Sequence, residues 1–105
     1  MKKKPKKEFT YTTYSISIDG IVRYIGTTNN LHRRQLEHNN LFKKGNNKLL
    51  YEKMRELKFE GIIELIPMYE FATSLRSKRR ECYEILKDYF GPNNLFQKVP
   101  NISDL

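Results

Sequence analysis

Tyr14-Ser15-Ile16-Ser17-Ile18-Asp19-Gly20-Ile21-Val22-Arg23-Tyr24-Ile25-Gly26 decides the fold. Tyr14 to Ile18 alternates large and small side chains with period two, the pattern of a half-buried strand. The residues from Phe9 onward, rich in Tyr, Thr and Ile, extend that strand toward the N-terminus. Asp19-Gly20 is hairpin chemistry, and the segment 21–26 reads as the returning strand. Thr27-Thr28-Asn29-Asn30 then supplies turn residues. Asn30 or Thr28 is placed to cap a short basic helix over residues 31–39.

Further along, Gly45-Asn46-Asn47 separates this helix from a second one over residues 48–58, with Leu49, Leu50, Met54 and Leu57 near helical spacing and Gly61 as its terminator. Residues 62–71 are β-branched and aromatic and read as a strand, with Pro67 marking an edge or an end. A third helix over residues 75–90 carries Leu75, Cys82, Ile85, Leu86, Tyr89 and Phe90 as its apolar side, and Gly91-Pro92 stops it. The order ββααβα predicts an α+β domain, a small three-stranded antiparallel sheet with helices packed against it.

The chain has 105 residues, enough for one core of modest size and no second domain. Residues 9–105 are read as that single domain. With 38% hydrophobic and 30% charged residues, the composition is that of a folded, water-facing protein. No apolar run approaches the roughly 20 residues that a spanning helix needs. The basic N-terminus is not followed by the apolar stretch of a secretory signal. Cys82 has no second cysteine to pair with, which fits a reducing, intracellular compartment. The net charge of +8 is concentrated at one end: five lysines lie within residues 1–7, leaving 15 basic against 12 acidic residues, or +3, elsewhere. Residues 1–8, with Pro5 among the lysines, read as a disordered basic tail. Such a tail suits a polyanion, because each neutralised phosphate releases condensed counterions. A solubility or localisation tag is the competing reading.

Several polar residues fall in a pattern with chemical meaning. Arg34 and His38 are four apart on the first helix and share a face. Tyr14 and Tyr24 sit on the two hairpin strands. Glu81 lies on the last helix. Arginine offers a planar fork for phosphate. Tyrosine and histidine can hold or move a proton of an attacking water. A lone carboxylate suits a Mg²⁺ that keeps several waters and takes a phosphate oxygen. These are the parts of a phosphodiester hydrolase. Taken singly, each residue has a plainer role: the tyrosines as cross-strand packing, the arginines as a solvated face, His38 as a helix-end residue, Glu81 as the partner of Lys78 or its neighbours.

Over residues 9–98 the chain resembles the GIY-YIG nuclease superfamily. Tyr24-Ile25-Gly26 is the second motif intact. Arg34 and His38 follow Tyr24 by ten and fourteen residues, as the arginine and histidine of that family do. Glu81, with Ile85 four residues on, is similar to the family's helical metal ligand. Asn93 or Asn94, after Pro92, stands where members often carry an asparagine. The first motif departs from the family: Thr12-Thr13-Tyr14 replaces Gly-Ile-Tyr and keeps only the tyrosine. The resemblance implies a DNA endonuclease with a catalytic set of Tyr14, Tyr24, Arg34, His38, Glu81 and Asn93. It implies one Mg²⁺ or Mn²⁺ per active site, held by Glu81. It leaves open which tyrosine is the base. Lys43, Lys44, Lys48, Arg76, Lys78, Arg79 and Arg80 line a DNA groove or face solvent. No separate specificity module is legible, so site choice falls to loops, to a homodimer or to a separate partner. An inactive nucleic-acid-binding module on the same fold is the alternative.

The assignment also constrains the hairpin. Paired residues on antiparallel strands share a face. With a plain two-residue turn, Tyr14 would pair with Ile25 and face away from Tyr24. A three-residue loop over residues 18–20, with Gly20 left-handed, would instead set Tyr14 opposite Tyr24. The site therefore predicts the odd loop.

Deleting residues 1–7 is expected to weaken DNA binding and flatten its salt dependence. With all five lysines on phosphates, the log–log slope falls by up to about 4.5, at roughly 0.9 per contact. An unchanged slope in a fluorescence-anisotropy titration series would separate the tail from DNA.

Overall fold

The computed structural model describes residues 10–72, 76–91, 94–97 and 101–102. The basic segment 1–8, Leu75 and Asn93 lie outside the described residues. Strands β1 (Thr10–Ile18) and β2 (Ile21–Thr28) form the hairpin, followed by helices α1 (Leu31–Lys43) and α2 (Leu49–Glu56), strand β3 (Ile66–Ala72) and helix α3 (Arg76–Phe90). This is the ββααβα α+β arrangement. Strands β2, β1 and β3 are antiparallel with β1 central, and a two-residue β4 (Asn101–Ile102) adds a parallel pairing on the far side of β2. Residues 94–97 and 101–102 follow no periodic pattern, and it is β2 that organises them. Phe96 N–H donates to Arg23 O, the Gln97 side chain bonds both the N–H and the C=O of Ile25, and β4 meets Gly26 and Thr27.

The hairpin corrects the odd-loop expectation. Ile18 pairs with Ile21, so Asp19-Gly20 is a two-residue turn, both residues left-handed at φ 55° and 78°. Parity is restored one step later. Ser17 pairs with Val22 and Ile16 with Tyr24, leaving Arg23 as an extra residue in β2. Tyr14 consequently lies opposite Gly26, not Tyr24, yet both tyrosines project from the same face.

Two sets of side chains cover the sheet. On one face Tyr14, Ile16, Ile18 and Tyr24 pack with Leu50, Tyr51 and Met54 of α2, together with Ile63 and Leu65. On the other, Ile25 packs with Tyr83 of α3 and Leu95. The inward stripe of α3 differs from the expected one. Tyr83, Cys82 and Arg79 are buried, the last with its guanidinium over the Tyr11 ring, while Ile85 and Tyr89 are exposed. An aromatic ring is a good seat for a guanidinium, so the helix turns Arg79 inward and leaves the two apolar residues in water.

Local signals explain the boundaries. Asn30 caps α1 by accepting from Arg33 N–H at 3.0 Å, and Thr28 holds the preceding turn by accepting from Asn30 N–H at 3.1 Å. The helix runs past Asn39-Asn40 because Asn39 acts outward: its side chain bonds Ile63 N–H at 2.8 Å and Ile63 O at 3.0 Å. Gln35 likewise accepts from Leu65 N–H at 3.0 Å. These two side chains occupy the backbone of residues 63–65, so β3 starts at Ile66 and not at 62. Both α1 and α2 end with a left-handed residue closed by paired hydrogen bonds. In α1 that residue is Gly45. In α2 it is Lys58, at φ 55°, rather than the expected Gly61.

Gly26 has a particular reason to lack a side chain: a Cβ there would overlap the hydroxyl and ring of Tyr14. Gly26→Ala is expected to cost about 1–3 kcal/mol, as overpacked cores do. Urea unfolding measures the loss; a wild-type midpoint would mean that Tyr14 has room to move aside.

Candidate active site

Four residues singled out by the sequence converge on the helix-covered face of the hairpin. Tyr14 and Tyr24 come from adjacent strands, with ring centroids 6.4 Å apart. Arg34 and His38 come from successive turns of α1. The Tyr14 hydroxyl is 2.8 Å from Nε2 of His38 and accepts from Arg34 Nε at 3.4 Å. His38 Nδ1 is 2.7 Å from the Tyr51 hydroxyl. Neutral His38 carries one ring proton, so it donates to one of these two hydroxyls and accepts from the other.

The cluster has a neutral interior. Tyr14, Tyr24, Tyr51 and His38 are fully buried. Burial, opposed by Arg34, pushes the Tyr14 phenol up to about 12, and burial likewise takes Tyr51 to about 12. Burial first, then Arg34 and Lys48, hold His38 down at about 3. Tyr14, Tyr51 and His38 are therefore uncharged near neutral pH.

The cations lie at its rim. Arg34 keeps 13% of its side chain exposed and bonds Glu37 at 3.0 Å. Arg33 is more exposed and also meets Glu37, at 3.4 Å, and its amide is committed to the Asn30 cap. Only Arg34 of the two reaches a tyrosine hydroxyl. Lys48, just before α2, donates to the Tyr24 hydroxyl at 2.8 Å and lies 4.9 Å from that ring's centre. Among the described residues Lys48 has no carboxylate partner. Two half-buried cations against one carboxylate make this rim a receptor for an anion.

Lys48, Tyr51 and Glu37 are the members that the sequence did not single out as site residues. Glu37 lies three and four residues beyond the two arginines, the one spacing signal available. Tyr51 and Lys48 precede and open a helix whose orientation relative to α1 no local pattern reveals.

Glu81 and the asparagine stand apart. Helix α3 packs through Tyr83 against Ile25, on the face of the sheet opposite Tyr14 and Tyr24. Glu81 is exposed, 3.5 Å from Lys78, and lines a shallow depression with Tyr69, Cys82, Ile85 and Leu86. The sheet lies between it and the tyrosines. The resemblance implies a metal on Glu81, but the residues as arranged do not compose a metal site with Tyr14, Tyr24, Arg34 and His38. Among the described residues no three His, Cys, Asp or Glu side chains converge. Asn93 lies outside the described residues. Asn94 turns its amide back to Phe90 O at 3.1 Å, closing the end of α3.

A buried neutral histidine makes folding pH-dependent. His38 binds a proton in the unfolded chain below its ordinary 6.5 but in the folded chain only near 3. Its contribution to stability is fully present above 6.5 and is lost as pH falls toward 3. The expected slope is about 1.4 kcal/mol per pH unit in that window. Urea unfolding at several pH values reads it, and His38→Gln is expected to flatten the slope; an equal slope in the variant would assign the effect elsewhere.

No protein-family model matches the chain, and neither curated proteins nor solved structures give a match.

Proposed function

We propose that the chain is an endonuclease of the GIY-YIG type that hydrolyses phosphodiester bonds of duplex DNA inside the cell. One observation carries this reading. Tyr14, Tyr24, Arg34 and His38, the set that the resemblance implies, form one contiguous cluster, and the two cations at its rim each bond a tyrosine hydroxyl. A phosphate oxygen at that rim would meet the fork of Arg34, with Lys48 beside the Tyr24 hydroxyl. Charge developing on phosphorus would be stabilised there, which is usually the largest catalytic contribution. A tyrosine hydroxyl lies beside each cation, buried in the free protein, and would receive a proton from water once bound DNA opens the rim. His38 keeps Tyr14 oriented. The chain's own basic residues, above all the N-terminal lysines, supply sequence-independent attraction to the DNA backbone. A homodimer or a separate specificity partner would provide site choice. No helix among the described residues is long and apolar enough to cross a membrane.

The resemblance brings with it a requirement for Mg²⁺ or Mn²⁺ on Glu81. Glu81 lies across the sheet, so no step is drawn through that ion. The same fact, with the full burial of both tyrosines, favours a second reading, an inactive nucleic-acid-binding module on this fold.

Nicking of supercoiled DNA separates the two. The nuclease reading expects cleavage in Mg²⁺ and none in EDTA. Arg34→Lys should lower the rate about 100-fold, the loss typical of one donor to developing charge, while Arg33→Lys has a smaller effect. Glu81→Ala decides the metal ligand: the resemblance expects cleavage abolished with DNA binding nearly intact, whereas its place across the sheet expects cleavage retained. Activity of Glu81→Ala above about a tenth of wild type, a barrier change of only about 1.4 kcal/mol, removes Glu81 as an essential ligand. DNA binding without any nicking supports the inactive module.

A further inference from the structure

Lys48 is held on both sides of its chain position. Its amide donates to the Asn46 side chain at 2.9 Å, and its ammonium reaches the Tyr24 hydroxyl at 2.8 Å, close over the ring. We infer that Lys48 is the proton acceptor for Tyr24, so that Tyr24 rather than Tyr14 is the phenol that activates water. This rests on the nuclease reading given above.

The two tyrosines differ in what stands behind them. Behind Tyr14 is His38, whose other nitrogen is already hydrogen-bonded to Tyr51. To take the Tyr14 proton, His38 would have to become an imidazolium in a buried place beside Arg34 and Lys48, which hold it at about 3. It is a fixed orienting group and a poor base. Behind Tyr24 is a primary amine. Burial first, then Arg34, lower Lys48 to about 8. A base is most effective when it titrates near the working pH. The groups facing Lys48 are Tyr24 from β2 and Arg34 and His38 from α1. Glu37 is held by Arg33 and Arg34, and Glu52, one turn along α2, is exposed. No anion among them restores the ammonium form. Lys48 is also partly exposed, which gives its proton an exit that His38 does not have.

The proton path closes as follows. The neutral amine of Lys48 takes the phenolic proton of Tyr24. Tyr24 is fully buried in the free protein, so this step requires the rim to open around bound DNA, and the phenolate then takes a proton from water. The resulting hydroxide forms the new P–O bond as the P–O bond to the leaving nucleoside oxygen breaks. That oxygen is protonated by solvent, and the Lys48 ammonium returns its extra proton to solvent. Lys48 acts through Tyr24 and does not touch the reacting phosphorus.

The test combines nicking of supercoiled DNA in Mg²⁺, over a pH range from about 6 to about 10, with NMR titration of the lysine side chains of the wild type. The wild-type rate should rise through about pH 8, and Lys48 should titrate there while other lysines titrate near about 10.4. Lys48→Arg keeps the cation but cannot accept a proton; it should lose that limb and at least about 100-fold in rate. Tyr24→Phe should do the same. Tyr14→Phe should slow the reaction yet keep the limb. Lys48 titrating with the other lysines overturns the inference without use of any variant. So does a Lys48→Arg protein, folded by circular dichroism, with the wild-type profile and rate. A wild type that never nicks DNA overturns the nuclease reading, and the role of Lys48 with it. An active wild type indifferent to Lys48→Arg overturns the role of Lys48 alone.

Discussion

The peptide of Arg23 does not belong to the β1–β2 ladder, and the site exists because it does not. Strand geometry alternates faces at every residue. A tight two-residue turn alone would put Tyr24 on the α3 side, away from Tyr14 and His38. The extra residue shifts Tyr24 to the side of α1 and α2, level with Ile16. An unpaired backbone group inside a domain needs other partners. Here Arg23 O accepts from Phe96 N–H, and the Arg23 guanidinium bonds Asn94 O at 3.0 Å and lies over the Phe96 ring. The segment after α3 thus holds the bulge from outside the sheet, and the bulge aims a tyrosine on the inside.

The second constraint is the missing Cβ at Gly26. It lets the Tyr14 phenol lie across β2 and reach His38, which Tyr51 holds from beyond. The outcome is a polar core that is complete without charge. Arg34 and Lys48 are then left at the rim with phenol oxygens as their inner partners. A phenol oxygen accepts a hydrogen bond but neutralises nothing, and Glu37 serves both Arg33 and Arg34. The protein has placed more positive charge around these hydroxyls than it balances.

Much of this was legible in the sequence. Alternation from Tyr14 to Ile18, the Asp19-Gly20 turn and the Asn30 cap are local signals, and each has its expected role. The convergence of Tyr14, Tyr24, Arg34 and His38 follows the family resemblance, although the two tyrosines come to one face through a bulge and not through the expected odd loop. Tertiary contacts set what could not be read. The bulge at Arg23 depends on a segment some seventy residues away. The start of β3 depends on Asn39 and Gln35 binding the backbone of residues 63–65. The expected apolar side of α3 included Ile85 and Tyr89, but the ring of Tyr11 drew Arg79 inward. Glu81 was chosen for its helix and its neighbours, and a helix pattern does not say which face of the sheet that helix covers.

The segment that secures Arg23 has another consequence, for how molecules of this protein meet one another. A sheet edge with open amides and carbonyls is a template for a strand from a second chain, the usual start of aggregation. On the β2 side, Phe96, Gln97 and β4 already occupy that row, and Gln97 satisfies both backbone groups of Ile25 with a side chain. On the β3 side, Pro67 has no N–H to offer, and the ladder is irregular beside it, where Thr13 pairs with Tyr69 and Tyr14 with Pro67. Ile66, Met68 and Tyr69 are exposed there, a composition that would otherwise invite stacking. One edge is filled and the other is interrupted, so a sheet this small resists lengthening into a fibril from either side.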